Sequence, residues 1–411
     1  MIFLANLRAS CTPWLLVPGL LALSLYVDGD TFGGHQNYAV GAGELAAIGI
    51  VAIAPMVAGA AAWEAGRHRH LRELHSVSVR GTVRRWVRAI APVLVLHVLL
   101  VAGAVVLARS ITGVWPGAEG WWGVSHLLVI PGEWLVIGWV LGLLCPRAVA
   151  APLAAAVPWL VPAATYAMSP PALRHLGGVV LEGSTLTDVL DPLVYVVPWL
   201  TVAALAVAVV LLAGARRRPW LPVVSAAVAL GALVGGRAVV ADWGDSPLRQ
   251  PRNGHTVCEG NTPVICLPRE YAGHLAEVRR AALPRLDALR EAGLPMPAKI
   301  SMVSSALKPV PDTWPLSWGP DLPAEEFDVV LARAAVSGTA ARQGIRDCGW
   351  FSSAEAWPML VMGVPEVKVH DDLLDEERAE MLRVRALPAG QQVDWFTSNI
   401  RELKHCTPGS S

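Results

Sequence analysis

Two ionisable residues sit in the middle of apolar runs, where either could hold or pass a proton. Glu133 stands in I-P-G-E-W, inside the run at about 124–144, and His97 lies inside the run before it. An ionisable side chain at bilayer depth is costly and marks either a functional position or a structural clamp. Pro131 and Gly132, just ahead of Glu133, loosen the helix and free a backbone carbonyl. At 1.5 Å per residue, each group lies roughly 12–15 Å from the inner end of its helix. Glu133 and His97 are therefore expected to come within hydrogen-bonded or water-bridged reach across an antiparallel pair. As a clamp the pair ties two helices together; as a path it carries a proton or a substrate.

Other chemistry is thin. His68, His70 and His75 lie close together but share their stretch with many arginines, and read as solvated polar residues rather than a metal site. None of the four lysines (Lys299, Lys308, Lys368, Lys404) follows a glycine, so the chain has no phosphate-binding loop of the G-x-x-x-x-G-K-[ST] type. H-E-x-x-H and G-x-S-x-G are also absent, which removes the commonest zinc-protease and hydrolase signatures. No enzyme activity, cofactor or metal is expected.

Four of the six cysteines, Cys258, Cys266, Cys348 and Cys406, fall in the last third. An even set outside a membrane is the pattern of disulfides, with three connectivities open; the alternative is buried free thiols. Cys258 and Cys266 bracket a proline-containing turn, and a local bridge there is easy to close. That leaves Cys348 to pair with Cys406. Cys11 and Cys145 belong to the apolar part and are expected to be free.

The elements that carry these residues follow from hydropathy. Hydrophobic residues make up 54% of the chain and charged ones 16%, with a mean hydropathy of +0.46; that composition belongs to the membrane class. Formal net charge is zero, so charge gives no reason to expect a nucleic-acid partner; the expected surroundings are a lipid bilayer. Apolar runs at about 10–27, 42–63, 89–107, 124–144, 148–168, 192–213 and 220–240 predict seven spans. No small-x-small cleavage site follows the first run, which reads as an uncleaved helix.

The basic stretch from Trp63 to Arg88 sets sidedness. It carries Arg67, Arg69, Arg72, Arg80, Arg84, Arg85 and Arg88 against Glu64 and Glu73, and short Arg-rich loops stay cytoplasmic. Arg8, Arg147 and the triple Arg216–Arg218 fall on the same side, whereas the opposite loops before residue 241 carry only Arg109 and Arg174. The N-terminus is thus expected inside and residues 241–411 outside. Within the stretch, Val79, Val83, Trp86 and Val87 share one helical face after a Ser78 N-cap, which predicts an amphipathic elbow at the inner surface running into the third span. The elbow is either a solvated flank that sets topology or a docking surface for a cytoplasmic partner. Gly138 with Gly142, and Gly231 with Gly235, permit close helix packing and a homodimer.

The last third reads as a small α+β domain. Tyr271, Leu275, Val278, Leu286 and Leu289 recur at helical spacing over 270–292, with Pro284 expected to kink or divide the helix. A short strand is expected over 298–303 and helices over 371–384 and 391–406. The run 327–335 fits a strand or a helix. The predicted fold is a polytopic α-helical membrane bundle followed by a disulfide-stabilised α+β extracytoplasmic domain.

The spans and the W-E-A-G-R-x-R-x-L-R-E-L element resemble actinobacterial membrane proteins of the ABC-2 permease type. The segments C-E-G-N-T-P-V-I-C-L-P-R-E-Y (Cys258–Tyr271) and W-F-T-S-N-I-R-E-L-K-H-C (Trp395–Cys406) look like an uncharacterised domain often fused to such spans. The resemblance implies the membrane subunit of an ABC-type exporter, driven by a separate ATPase docked on the Arg67–Arg88 elbow. Such permeases usually have six spans, and a seventh would carry the outer domain. Two rivals are a membrane receptor or envelope assembly factor whose outer domain binds a ligand, and a membrane-anchored hydrolase.

Overall fold

The computed structural model describes residues 7, 9–27, 37–70, 82–167, 171–180, 183–215, 218–244, 246–252, 254, 256–303, 310, 312–345, 352–370 and 373–402. The chain divides into two units: residues 1–185 with 189–250, and residues 186–188 with 251–411.

The first unit is a helical membrane bundle. Its helices are α1 (Thr12–Tyr26), α2 (Ala39–Ala47), α3 (Ile50–His70), α4 (Thr82–Thr112), α5 (Trp121–Leu144), α6 (Arg147–Tyr166), α7 (Leu193–Ala213) and α8 (Leu221–Val240). Large apolar side chains stay exposed on the outer helices, among them Leu200, Val223 and Leu230; helices that are apolar all round belong in lipid. Five helices, α4 to α8, are long and apolar enough to cross a membrane, and six if α2 and α3 count as one span bent by 42°. Seven full spans are therefore more than these lengths give. The shortfall is α1, whose 15 residues reach about 22 Å, less than the roughly 30 Å of a hydrocarbon core.

Small residues fix how the helices lie together. Gly123 faces Gly43, Gly138 faces Ala58 and Gly142 faces Ala62, each glycine so close that a Cβ would overlap the opposing carbonyl oxygen. The paired numbers rise together, so α2–α3 and α5 run parallel. Gly19 against Leu100 and Gly103 against Leu20 make α1 and α4 parallel too. Gly59 meets Ala155 while Gly66 meets Arg147, so α3 and α6 are antiparallel. Trp122 with Tyr195 and His126 with Trp199 set α7 parallel to α5. Helices α3, α5 and α7 thus share one direction and α6 takes the other, and the end of α3 that carries Arg67 lies beside Arg147 at the start of α6. Gly138 and Gly142 are consumed inside this bundle, whereas Gly231 and Gly235 have nothing within 4 Å of an added Cβ.

Strands β1 (Asp188–Leu190) and β2 (Arg249–Pro251), most of whose residues belong to the first unit, pair with each other. The second unit is α+β. The main sheet has the order β3 (Thr256–Glu259), β4 (Val264–Pro268), β5 (Lys299–Ser301), β6 (Thr313–Pro315), with β3 antiparallel to β4 and the other pairs parallel. Helix α9 (Leu275–Glu291) crosses between β4 and β5 and buries Leu275, Val278, Ala282, Leu286 and Leu289. Pro284 lies within it without dividing it. Pro284 and Arg280 both lie on the exposed side of the helix. Residues 327–342 form a helix, α10 (Phe327–Arg342), which resolves the strand-or-helix ambiguity. Its Gly338 lies against the indole of the fully buried Trp314. Helices α11 (Ser352–Val361), α12 (Glu366–His370), α13 (Asp375–Arg385) and α14 (Ala389–Glu402) complete the unit. Trp357 packs against Phe396 within its core, the rings tilted with centroids 4.8 Å apart.

Cys258 and Cys266 form a disulfide. They are direct partners in the β3–β4 register, which brings their Cα atoms to 4.1 Å. Cys348 and Cys406 lie outside the described residues, and so does any bridge between them; Cys11 and Cys145 are free thiols.

Candidate functional site

Pro131 explains the middle of the membrane unit. A proline has no N–H, so the carbonyl four residues back, that of Leu127, loses its helical donor. His97 Nε2 lies 2.8 Å from that oxygen and must be the protonated nitrogen. His97 is therefore engaged by a backbone group six residues from Glu133, about 9 Å along the axis, and not by the Glu133 carboxylate. Glu133 Oε2 is buried with no hydrogen-bond partner among the described residues. No direct hydrogen bond joins the two side chains, which leaves the water-bridged form of the expected approach.

Other buried polar groups, not anticipated from sequence, are engaged within the bundle. Near the start of α5, Trp199 Nε1 donates to His126 Nδ1 at 2.7 Å, and His126 Nε2 donates to the Gly178 carbonyl at 2.5 Å. An indole nitrogen only donates and a carbonyl only accepts, so the imidazole carries its proton on Nε2. Trp122 and Tyr195 close the cluster, their rings stacked at 6.2 Å. On α2, Glu44 accepts the Ser184 backbone N–H at 2.6 Å and also the Ser184 hydroxyl, while the Tyr38 hydroxyl donates to the Thr185 carbonyl at 2.7 Å. The only sequence hint of this clasp is a lone acid in A-V-G-A-G-E-L-A-A.

The basic stretch is partly structural. Helix α3 continues through Trp63 to His70. Glu64 is buried there, accepting the Cys11 N–H at 3.1 Å and pairing with Arg67 at 2.6 Å. Arg67 also donates to the Ala9 carbonyl at 3.2 Å, and the Arg147 guanidinium lies over Trp63 at 4.8 Å. Arg67 is thus used to tie the bundle end together. Arg69 and Arg88 are half-buried. Arg72 and Arg80 lie outside the described residues. Arg84, Arg85 and Trp86 sit in the first turns of α4, which is one continuous helix of 31 residues. From Thr82 onward the stretch expected as an elbow is continuous with the span, in one helix that holds Pro92.

In the second unit the parallel strands β4, β5 and β6 present their C-terminal ends along one edge, the usual place for a ligand in an open α/β sheet. A 3₁₀ turn at Arg269–His274 leaves β4 there. Its Tyr271 ring meets Trp318 edge-on at 5.8 Å, and the His274 ring lies 5.6 Å from the same indole. His274 Nδ1 is 3.3 Å from Glu277 Oε2. Burial, then the charges of Asp321 and Glu270, push the Tyr271 phenol above its ordinary pKa; it stays a hydrogen-bond donor at neutral pH. Behind the turn, Arg252 and Glu270 form an ion pair at 2.8 Å with both side chains more than nine-tenths buried. No group of three or more metal-ligating side chains occurs among the described residues. The edge offers aromatic faces and a phenol donor.

Residues 265–406 match the family model described as a domain of unknown function (DUF7224). No curated protein and no solved structure matches the chain. The chain is a membrane protein whose C-terminal part is similar to that family.

Proposed function

We propose that the chain is the membrane-embedded subunit of an ABC-type exporter, energised by a separate cytoplasmic ATPase, with the second unit on the extracytoplasmic side. One observation carries this reading. Helix α3 ends at His70 and helix α4 begins at Thr82, before its apolar segment at Val87, so the two helices flank the most basic stretch of the chain. A basic stretch anchored at both ends by helices is a surface that can take a push from a partner. The chain lacks a phosphate-binding loop of its own, so the work must arrive through such a surface. A homodimer fits the same reading.

Reversing Arg84 and Arg85 to Glu tests it. The variant should copurify less of the ATPase while a cysteine at position 304, in a background without the native cysteines, remains labelled by an impermeant reagent in intact cells. Unchanged copurification with unchanged labelling overturns the coupling role. With Arg84 and Arg85 retained, labelling of a single cysteine placed at position 78 but not of one placed at 304, each in the background without native cysteines, overturns the topology.

A second reading, a membrane-anchored receptor, draws on the edge at Tyr271, His274 and Trp318. Its test is copurification of an envelope partner that the Trp318→Ala variant loses.

A further inference from the structure

Glu44, Glu64, His97 and His126 are each satisfied by a group inside the bundle. Glu133 is not: its Oε2 is buried and has no hydrogen-bond partner among the described residues. It is the thirteenth of the 24 residues of α5, so it lies near the middle of the bilayer. A carboxyl group at that depth needs a partner.

The surroundings say what the partner looks like. Ser125, Leu128, Val129, Gly132, Glu133 and Val136 recur at helical spacing, and none of them is fully buried, unlike the rest of the middle of α5. Leu128 is 45% exposed, and a Cβ on Gly132 would meet nothing within 4 Å. The stripe is a strip of apolar surface with one carboxyl group and open space beside it. Whatever binds must reach bilayer depth, so it carries an apolar body. It must complement an acid, so it carries a cationic hydrogen-bond donor.

We infer that the α5 stripe around Glu133 binds an amphipathic amine from the bilayer, its ammonium group on the Glu133 carboxylate and its apolar body along Leu128, Val129 and Val136. This names the substrate class of the exporter and rests on that reading for its role; binding itself needs no ATPase.

The test uses the full chain in lipid nanodiscs and a monodansylated long-chain diamine, whose free end is a primary amine. Saturable binding is expected in wild type. It should weaken by about tenfold or more in Glu133→Gln, where the charge is lost and the shape kept, and persist in Glu133→Asp. The same probe with its amine acetylated should bind wild type as weakly, which requires no variant to fold. Equal binding of amine and acetylated probes, or equal binding by wild type and Glu133→Gln, overturns the inference. So does crosslinking between copies through a cysteine at position 129 that the amine fails to suppress, since a second copy then covers the stripe. Copurification of the ATPase is scored separately: its loss with amine binding intact overturns the exporter, and its retention without amine binding overturns only this site.

Discussion

His97 Nε2 donates to the carbonyl of Leu127, the acceptor in α5 that Pro131 deprives of its helical donor. The two residues are thirty positions apart, and the proline makes the bond necessary. His97→Ala leaves a buried carbonyl unsatisfied and should cost about 1–3 kcal/mol. Pro131→Ala restores a donor within the helix, so His97→Ala should cost markedly less in that background. Thermal unfolding in detergent of wild type, both single variants and the double variant gives the coupling. Additive effects would show that the histidine and the proline act independently.

The two glycine pairs should behave oppositely. Gly138→Val and Gly142→Val force side chains into the α3 backbone and should each destabilise the bundle by about 1–3 kcal/mol or more. Gly231→Val and Gly235→Val enter open space and should leave the unfolding temperature nearly unchanged. Equal sensitivity of the pairs would contradict the α3–α5 packing.

Removing the Cys258–Cys266 bridge with a double Cys→Ser change should lower the stability of the second unit by about 2–3 kcal/mol, the scale expected of a short closed loop. Non-reducing peptide mapping should recover that pair, and with it a Cys348–Cys406 peptide. A Cys258–Cys348 peptide would refute this connectivity.

Tyr271 is the one tyrosine in residues 251–411, so its ionisation reports on the second unit alone. Its phenol is raised in the fold above the reference value of 10.0. Above that pH the unfolded chain has released a proton that the folded unit still holds. The stabilisation is therefore complete below pH 10 and is lost as pH rises through the folded value. The midpoint of denaturant unfolding should fall with alkaline pH in wild type and fall less in Tyr271→Phe. Identical pH profiles would mean that the phenol is not perturbed.

The sequence made α9 legible because Leu275, Val278, Leu286 and Leu289 repeat at helical spacing, and made the Cys258–Cys266 bridge legible because a short turn lies between. The main sheet was hidden apart from β5, since strands such as Lys299–Ser301 and Thr313–Pro315 are too short to display an alternation. Glu133 stood out by residue type, but its surroundings depend on the rotation of α5 about its axis, which hydropathy does not encode. His126 gave no signal because a histidine bound on both sides looks, in sequence, like one near a membrane interface. Arg67 read as part of a basic surface because nothing local reveals that the N-terminal segment folds back onto it.

The break between α2 and α3 acts as a lever. Nine residues of α2 make an arm of about 14 Å, and a turn of 42° swings its far end sideways by roughly 9 Å. Drawn straight, the helix would carry Tyr38 well out of reach of the Thr185 carbonyl. The backbone stays paired around the corner, with Ile48 N–H on Leu45 and Gly49 N–H on Ala46, so the bend leaves these amides satisfied. A side chain at Gly49 would press onto Leu23, Ala104 and the Ala46 carbonyl, so the corner has no room for one. The fastening of Tyr38 to Thr185 thus depends on a corner at residues 48 and 49.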